Sequence, residues 1–229
     1  MATTRSPRSS RSARPTRARS ARPTLVLLVR HGRTPTTGTT LPGRAPGLHL
    51  SPEGVAQAEA AAARIAPLGR RVSAVIASPL ERTRETARPI AAALGTKVRI
   101  DRGLLECDFG DWTGRKLADL AKKPEWATVQ RWPSGFRFPG GESFTEMQTR
   151  MVDAVDRLVA DHRGSTIVAV SHADPIKALV AHAMGTHLDL FQRIVVSPCS
   201  ITAILYTAGG PTVLTVNSIG DDLSSLALS

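Results

Sequence analysis

The sequence predicts an α/β protein: a three-layer sandwich whose central sheet is mostly parallel, with an antiparallel edge strand and helices on both faces. Three observations predict it. Two short runs, Leu25-Val26-Leu27-Leu28-Val29 and Thr166-Ile167-Val168-Ala169-Val170, are almost wholly apolar and rich in branched side chains, as strands buried on both faces are. Strand-like and helix-like segments alternate along most of the chain. Each buried run also stops abruptly at polar residues, which is how the carboxyl ends of strands build a site in an open α/β sheet.

The elements follow in order. The first strand covers 25–29 and delivers Arg30-His31-Gly32-Arg33-Thr34. A Gly/Pro/Thr-rich loop fills 34–50. Ser51 then reads as an N-cap with Pro52 at the first helical position, opening an alanine-rich helix over about 52–66. Val72–Ala77 reads as the second strand. Ser78-Pro79 caps a second helix over about 79–94, and Lys97–Ile100 is a short third strand. Glu142 to about Asp161 carries Phe144, Met147, Met151, Val155, Leu158 and Val159 on one stripe, the signature of a long amphipathic helix. The second buried run ends at Ser171-His172-Ala173-Asp174-Pro175, and a helix over about 175–184 follows. Strands at about 200–206 and 212–217, joined through Gly209-Gly210-Pro211, supply the antiparallel edge.

Residues 104–141 stand apart. They hold Trp112, Trp126, Trp132, Phe109, Phe136 and Phe138, six of the nine aromatic residues in the chain, among frequent prolines and glycines. Such an excursion reads as a lid-like insert over a pocket, or as a satellite hydrophobic cluster; the two are compatible.

Composition sets the outer limits. At 229 residues and 41% hydrophobic content the chain can bury a substantial core. No apolar run approaches the ~18–20 residues of a membrane span. Cys107 and Cys199 form neither a disulfide framework nor a metal spacing, which fits the reducing cytoplasm. The net charge of +11 points toward nucleic acid until it is located: residues 1–24 hold seven arginines and no acid, so more than half of the excess lies there. That segment repeats Arg-Ser-Ala-Arg-Pro-Thr at 11–16 and 19–24, has nothing to bury, lacks the apolar stretch of a secretory signal, and is expected to be disordered. It reads as a solvated tail, an arm grazing RNA or DNA, or residues upstream of the true start. Isolated arginines without aromatics give only non-specific contact, so nucleic acid is not the expected partner. The organisation read from the sequence is therefore a tail over 1–24, one domain over 25–222 that includes the 104–141 insert, and a C-terminal tail over 223–229.

Three strand ends converge on one rim of such a sheet. They bring Arg30 and His31, then Ser78 with Arg82 one turn into its helix, then His172. Two imidazoles and two guanidiniums suit an anion, and helix N-termini behind Pro79 and Pro175 add partial positive charge. The site also needs an acid to protonate a leaving group; Glu106, at the mouth of the aromatic insert, is the first candidate and Asp174 the second. An Arg-His pair alone is as often an ordinary strand edge; the constellation is what breaks the tie.

These segments resemble the histidine phosphatase superfamily, also called phosphoglycerate mutase-like, and its small phosphomutase-like branch. Arg30-His31-Gly32-x-Thr34 is similar to its RHGxT signature. Ser78-Pro79-Leu80-x-Arg82-Thr83-x-x-Thr86-Ala87 is similar to its second-arginine segment, and Leu105-Glu106-x-x-Phe109-Gly110-x-Trp112-x-Gly114 to its acid segment. Phe138-Pro139-Gly140-Gly141-Glu142-Ser143 and Val170-Ser171-His172 resemble its later motifs. Order and spacing agree from about 25 to 217. The resemblance implies that His31 attacks phosphorus and forms a phosphohistidine, and that Arg30, Arg82 and His172 clamp the phosphoryl oxygens. It implies that Glu106 protonates the departing oxygen and then activates water. Gly32, Thr34, Thr37 and Asp174 are the further substrate-binding candidates. No cofactor and no metal are implied, and the partner is a small phosphorylated substrate; a homodimer is left open.

Departures from the pattern matter for activity. Thr37 stands where the family often has Asn, and Arg33 where Glu is frequent. Glu106 is followed by Cys107-Asp108-Phe109-Gly110 rather than the Arg-His-Tyr-Gly of glycolytic mutases, which favours phosphatase over mutase. A non-catalytic phosphate binder is disfavoured because both histidines, both arginines and the acid are present. His49, His162, His182 and His187 share no ligand spacing and read as surface or satisfied histidines; Cys107 reads as a bystander thiol.

Overall fold

The run Leu25–Val29 becomes the hub of a six-stranded sheet in the computed structural model, which describes residues 22–220. The strands are β1 (Thr24–Arg30), β2 (Val72–Ala77), β3 (Val98–Ile100), β4 (Thr166–Ser171), β5 (Ile201–Thr207) and β6 (Gly210–Ser218), in the spatial order β3-β2-β4-β1-β5-β6. β3, β2, β4 and β1 run parallel; β5 pairs antiparallel with β1, and β6 antiparallel with β5, closing that end as a hairpin. Pro211 sits in this last strand, where a missing N–H is tolerated at an edge.

Helices cover both faces, and the alternation of β1 sorts the core between them. Leu25, Leu27 and Val29 pack with Ile65 of α1 (Pro52–Ile65) and Ile90 of α2 (Glu81–Ala93). Val26 and Leu28 point the other way, to Met151 and Val155 of α5 (Phe144–Asp161) and to Ile176 and Leu179 of α6 (Ala173–Ala183). Segment 104–141, with short helices α3 (Leu117–Leu120) and α4 (Glu125–Arg131), forms a third cluster. Phe109, Trp112, Phe136 and Phe138 pack there against Phe144, Met147 and Phe191. Among the described residues no helix is long and apolar enough to cross a membrane.

The helix starts differ from expectation in instructive ways. Ser51 caps α1 as predicted, accepting from the Gly54 amide. Ser78 does not cap α2, which begins at Glu81 after an uncapped Leu80, because the Ser78 hydroxyl is taken by a histidine across the sheet. α5 starts at Phe144 behind a capping box of Ser143 and Glu146. α6 starts two residues early, with His172 at the cap position, so Asp174 and Pro175 lie in its first turn. Thr24 already belongs to β1, shortening the expected tail; residues 1–21 and the segment 221–229 lie outside the described residues.

One backbone crossing fixes where the first motif sits. A Cβ on Gly32 would lie 2.5 Å from the Gly54 carbonyl oxygen, and a Cβ on Gly54 would lie 2.0 Å from that of Arg33. The loop after β1 therefore rides directly on the start of α1, with no room for a methyl. Gly54→Ala is expected to cost about 3 kcal/mol by overpacking, read as a lowered urea midpoint with an unchanged slope.

Candidate active site

The parallel registers place three strand ends side by side. Arg30 pairs with Ser171 and Ala77 with Val170, and the ladder continues as His31 N donates to Ser171 O and Ser78 N to Val170 O, both 3.0 Å. His31 and His172 thereby face each other, ring centroids 5.2 Å apart at an interplanar angle of 62°. Both rings are buried.

The two rings are held differently. His31 Nδ1 lies 2.8 Å from the Gly32 carbonyl oxygen, which can only accept. Nδ1 therefore carries the proton, and Nε2 keeps its lone pair. Burial, then the charges of Arg82 and Arg30, push the His31 pKa well below its ordinary value, so the ring is neutral near pH 7. His172 Nε2 contacts Ser78 Oγ at 2.9 Å, and its Nδ1 lies 3.3 Å from Arg82 Nη2 and 3.9 Å from Glu106 Oε2. Burial and Arg82 lower its pKa as well. Arg82 Nη2 can only donate, so Nδ1 accepts from it and Nε2 carries the proton toward Ser78 Oγ. Because the Ser78 hydroxyl both donates and accepts, this tautomer reverses when an acceptor replaces Arg82 at Nδ1.

Two arginines stand beside the rings. Arg82, in the first turn of α2, is completely buried, and donates from Nη2 to Gly43 O at 2.8 Å. Its Nε and Nη1 find no hydrogen-bond partner among the described residues. Arg30 donates to Val196 O at 2.7 Å and leaves its buried Nε unpartnered in the same way. Leaving buried cationic donors unmatched is costly, and an anion with several acceptor oxygens resolves the cost.

Glu106 is the carboxyl nearest the pair. It is buried, and its Oε1 accepts from the Cys107 amide at 3.0 Å. Burial, and after it the charge of Asp174, raise its pKa to about 7 against the opposing pull of Arg82 and Arg30. Asp174 lines the same cavity but pairs with Lys177, 3.4 Å away. Thr34 and Thr37 also line the cavity, and their hydroxyls lie 3.0 Å apart; the Thr37 hydroxyl accepts from the Thr34 amide as well, stiffening the turn at the mouth. Gly32, like Arg82 and His172, is not among the residues lining the cavity. Its amide donates to Thr86 Oγ1 and its carbonyl holds His31, so it positions the first histidine.

Sequence reasoning missed the scaffold behind Glu106. Arg44 Nε and Arg150 Nη2 both donate to the Glu106 carbonyl oxygen, at 2.8 and 3.2 Å. Arg150 also donates to the carbonyls of Gly103 and Leu105. Glu142 ties the two arginines together, at 2.8 Å from Arg44 Nη2 and 2.8 Å from Arg150 Nε, and accepts from the Asp108 amide. Burial raises the Glu142 pKa, but the hydrogen bonds and charges of Arg150 and Arg44 outweigh it and leave the group below the ordinary range. Glu142→Ala is expected to cost about 3 kcal/mol, since the partly buried Arg150 guanidinium loses its carboxylate partner and Arg44 keeps only Asp108; urea unfolding at pH 7 measures it. The nearest signal in the sequence was Glu142 itself, inside the Phe138–Ser143 motif, but its two arginine partners lie far apart in the chain. The bystander histidines fall elsewhere: His162 contacts Ser73 and Arg99, His49 pairs with Glu85 and His187 with Asp189.

Fold and site together define an α/β protein with two facing histidines, a buried Arg82 and a partly buried Arg30 at one rim of its sheet. The chain belongs to the histidine phosphatase superfamily (branch 1), whose profile matches residues 26–219. It is 36% identical over 203 residues to a bifunctional protein of Mycobacterium tuberculosis, covering 86% of this chain and 54% of that one, so the chain spans about half the length of the first curated relatives it matches. It is 36% identical over 183 residues to GpmB of Erwinia tasmaniensis, named a probable phosphoglycerate mutase, covering 78% of this chain and 83% of that protein. Among solved structures it superposes on a mycobacterial glucosyl-3-phosphoglycerate phosphatase with a TM-score of 0.77 and 26% identity, over 86% of this chain and 100% of the other.

Proposed function

We propose that the chain is a phosphomonoesterase that hydrolyses a small phosphorylated metabolite through a phosphohistidine on His31. The observation that carries this reading is the facing pair of neutral imidazoles, 5.2 Å apart, beside buried guanidiniums with unmatched donors. The lone pair on His31 Nε2 forms the N–P bond as the bond from phosphorus to the leaving oxygen breaks. Arg30, Arg82 and His172 hold the three remaining oxygens as charge spreads over them. Glu106 gives its proton to the leaving oxygen. Its carboxylate then takes a proton from water, the water oxygen bonds to phosphorus, and the N–P electrons return to Nε2. The guanidiniums supply the charge that a metal supplies elsewhere, so the reaction is proposed to need none.

A phosphomutase using the same phosphohistidine is the second reading, favoured by the likeness to GpmB. Hydrolysis is favoured by the mouth of the cavity, where Gln130 is exposed and Val195 is 63% exposed, so water reaches the site. The deciding experiment measures phosphate release from p-nitrophenyl phosphate with a chelator present, beside conversion of 3- to 2-phosphoglycerate with and without a bisphosphorylated primer. Primer-dependent conversion without phosphate release overturns the phosphatase reading.

A further inference from the structure

The cavity is far larger than a phosphoryl group requires, at about 460 Å³, inside the range of small-molecule sites. Its excess lies on the leaving-group side, and the chemistry there differs from the phosphoryl end. Leu117, Trp126, Ile194 and Val195 make an apolar wall. Trp126 stacks on Trp112, ring centroids 6.3 Å apart at 25°, which steadies its ring in the wall. The polar groups between are the amides of Gln130 and Gln192 and, toward the mouth, the hydroxyls of Thr36, Thr37 and Thr40.

Charge decides what this half accepts. The lining cations are Arg30 and Lys177, and Arg30 belongs to the phosphoryl end. Lys177 is already matched: Asp174 lies 3.4 Å from its Nζ, Gln192 Oε1 lies 3.2 Å away, and the Phe191 ring sits 5.9 Å below it. Among the described lining residues no cation is left unmatched to pair with a second acidic group, so such a group is disfavoured there.

Resting on the phosphatase reading, we infer that this half of the cavity takes an uncharged, ring-bearing leaving group of nucleoside size, and discriminates against phosphorylated carboxylic acids. A flat heterocycle matches the Trp126 wall, and amide side chains match a ring edge that carries both donors and acceptors.

The test compares kcat/KM of the full chain for nucleoside 5′-monophosphates with kcat/KM for 3-phosphoglycerate and O-phosphoserine. The nucleotides are expected to be better by at least about tenfold, and Trp126→Ala to lower the nucleotide-to-phosphoserine ratio by about tenfold, the loss of one ring stack. Gln130→Ala, at an exposed position that leaves folding intact, is expected to lower the same ratio. Preference for the acids, or a ratio that neither variant changes, overturns the inference while leaving the phosphatase reading standing. Failure to hydrolyse p-nitrophenyl phosphate as well overturns both.

Discussion

His31→Ala is expected to lose roughly 10⁴-fold or more in kcat, with the fold intact. The ring makes one hydrogen bond to its own neighbour, the Gly32 carbonyl, so its removal disturbs little beyond a small void. What disappears is the imidazole of the facing pair whose outward nitrogen is unprotonated and uncommitted. His172 is different: its Nε2 is engaged by Ser78 and its Nδ1 faces Arg82. His172→Ala is therefore expected to keep a nucleophile and lose a clamp. The distinguishing measurement is acid-stable against acid-labile label after brief mixing with ³²P-labelled substrate. Acid-labile, alkali-stable label bound by the wild type and His172→Ala but not by His31→Ala assigns the nucleophile. Substantial turnover in His31→Ala, with a normal unfolding curve, ends the proposed mechanism.

The strands and the rim were legible because local signals suffice for them. An unbroken apolar run such as Leu25–Val29 has only one economical fate in a chain of this size, and both of its faces are indeed buried. The convergence of His31, Ser78 and His172 followed from parallel pairing, which puts strand carboxyl ends together whatever the loops do. Helix starts were less legible where a side chain had a distant competitor. Ser78 looks like an N-cap to its neighbours in sequence, but across the sheet it meets a histidine, and a buried ring nitrogen is the stronger claim on its hydroxyl. The same limit hid the support of Glu106. Glu142 and Arg150 lie close together around the start of α5, but Arg44 comes from a loop far earlier in the chain, and nothing in the spacing of either end announces the other. At Gly32 the sequence shows that a glycine is needed, not whether ligand or backbone demands it; the close approach of Gly54 supplies a backbone demand.

Glu106→Gln is expected to lower kcat by about 10²–10⁴-fold for alkyl phosphates, and much less for p-nitrophenyl phosphate, whose departing oxygen needs no proton. Asp174→Asn is expected to lack this contrast, because Asp174 faces Lys177 rather than the histidine pair. The pH dependence follows from the same carboxyl. The acid form of Glu106 is required for departure, so kcat/KM for alkyl phosphates falls as pH rises through about 7. The acid limb lies well below 6.5, because burial and the arginines keep His31 unprotonated there. Stability carries a matching sign. Between the ordinary value of 4.5 and about 7 the folded chain holds a proton on Glu106 that the unfolded chain has released, so stability contributed by this group is present at pH 4.5 and is lost as pH rises. The loss approaches about 3 kcal/mol by pH 8, at 1.36 kcal/mol per unit. The two histidines act in the opposite direction: below 6.5 the unfolded chain takes up protons that the folded chain refuses. Glu106→Gln leaves that acid-side loss in place and removes the alkaline one. Urea unfolding of both proteins at pH 5 and pH 8 should therefore show the variant gaining on the wild type much more at pH 8 than at pH 5. An equal difference at the two pH values would mean that Glu106 does not carry the raised pKa, and with it the assignment of Glu106 as proton donor would fall.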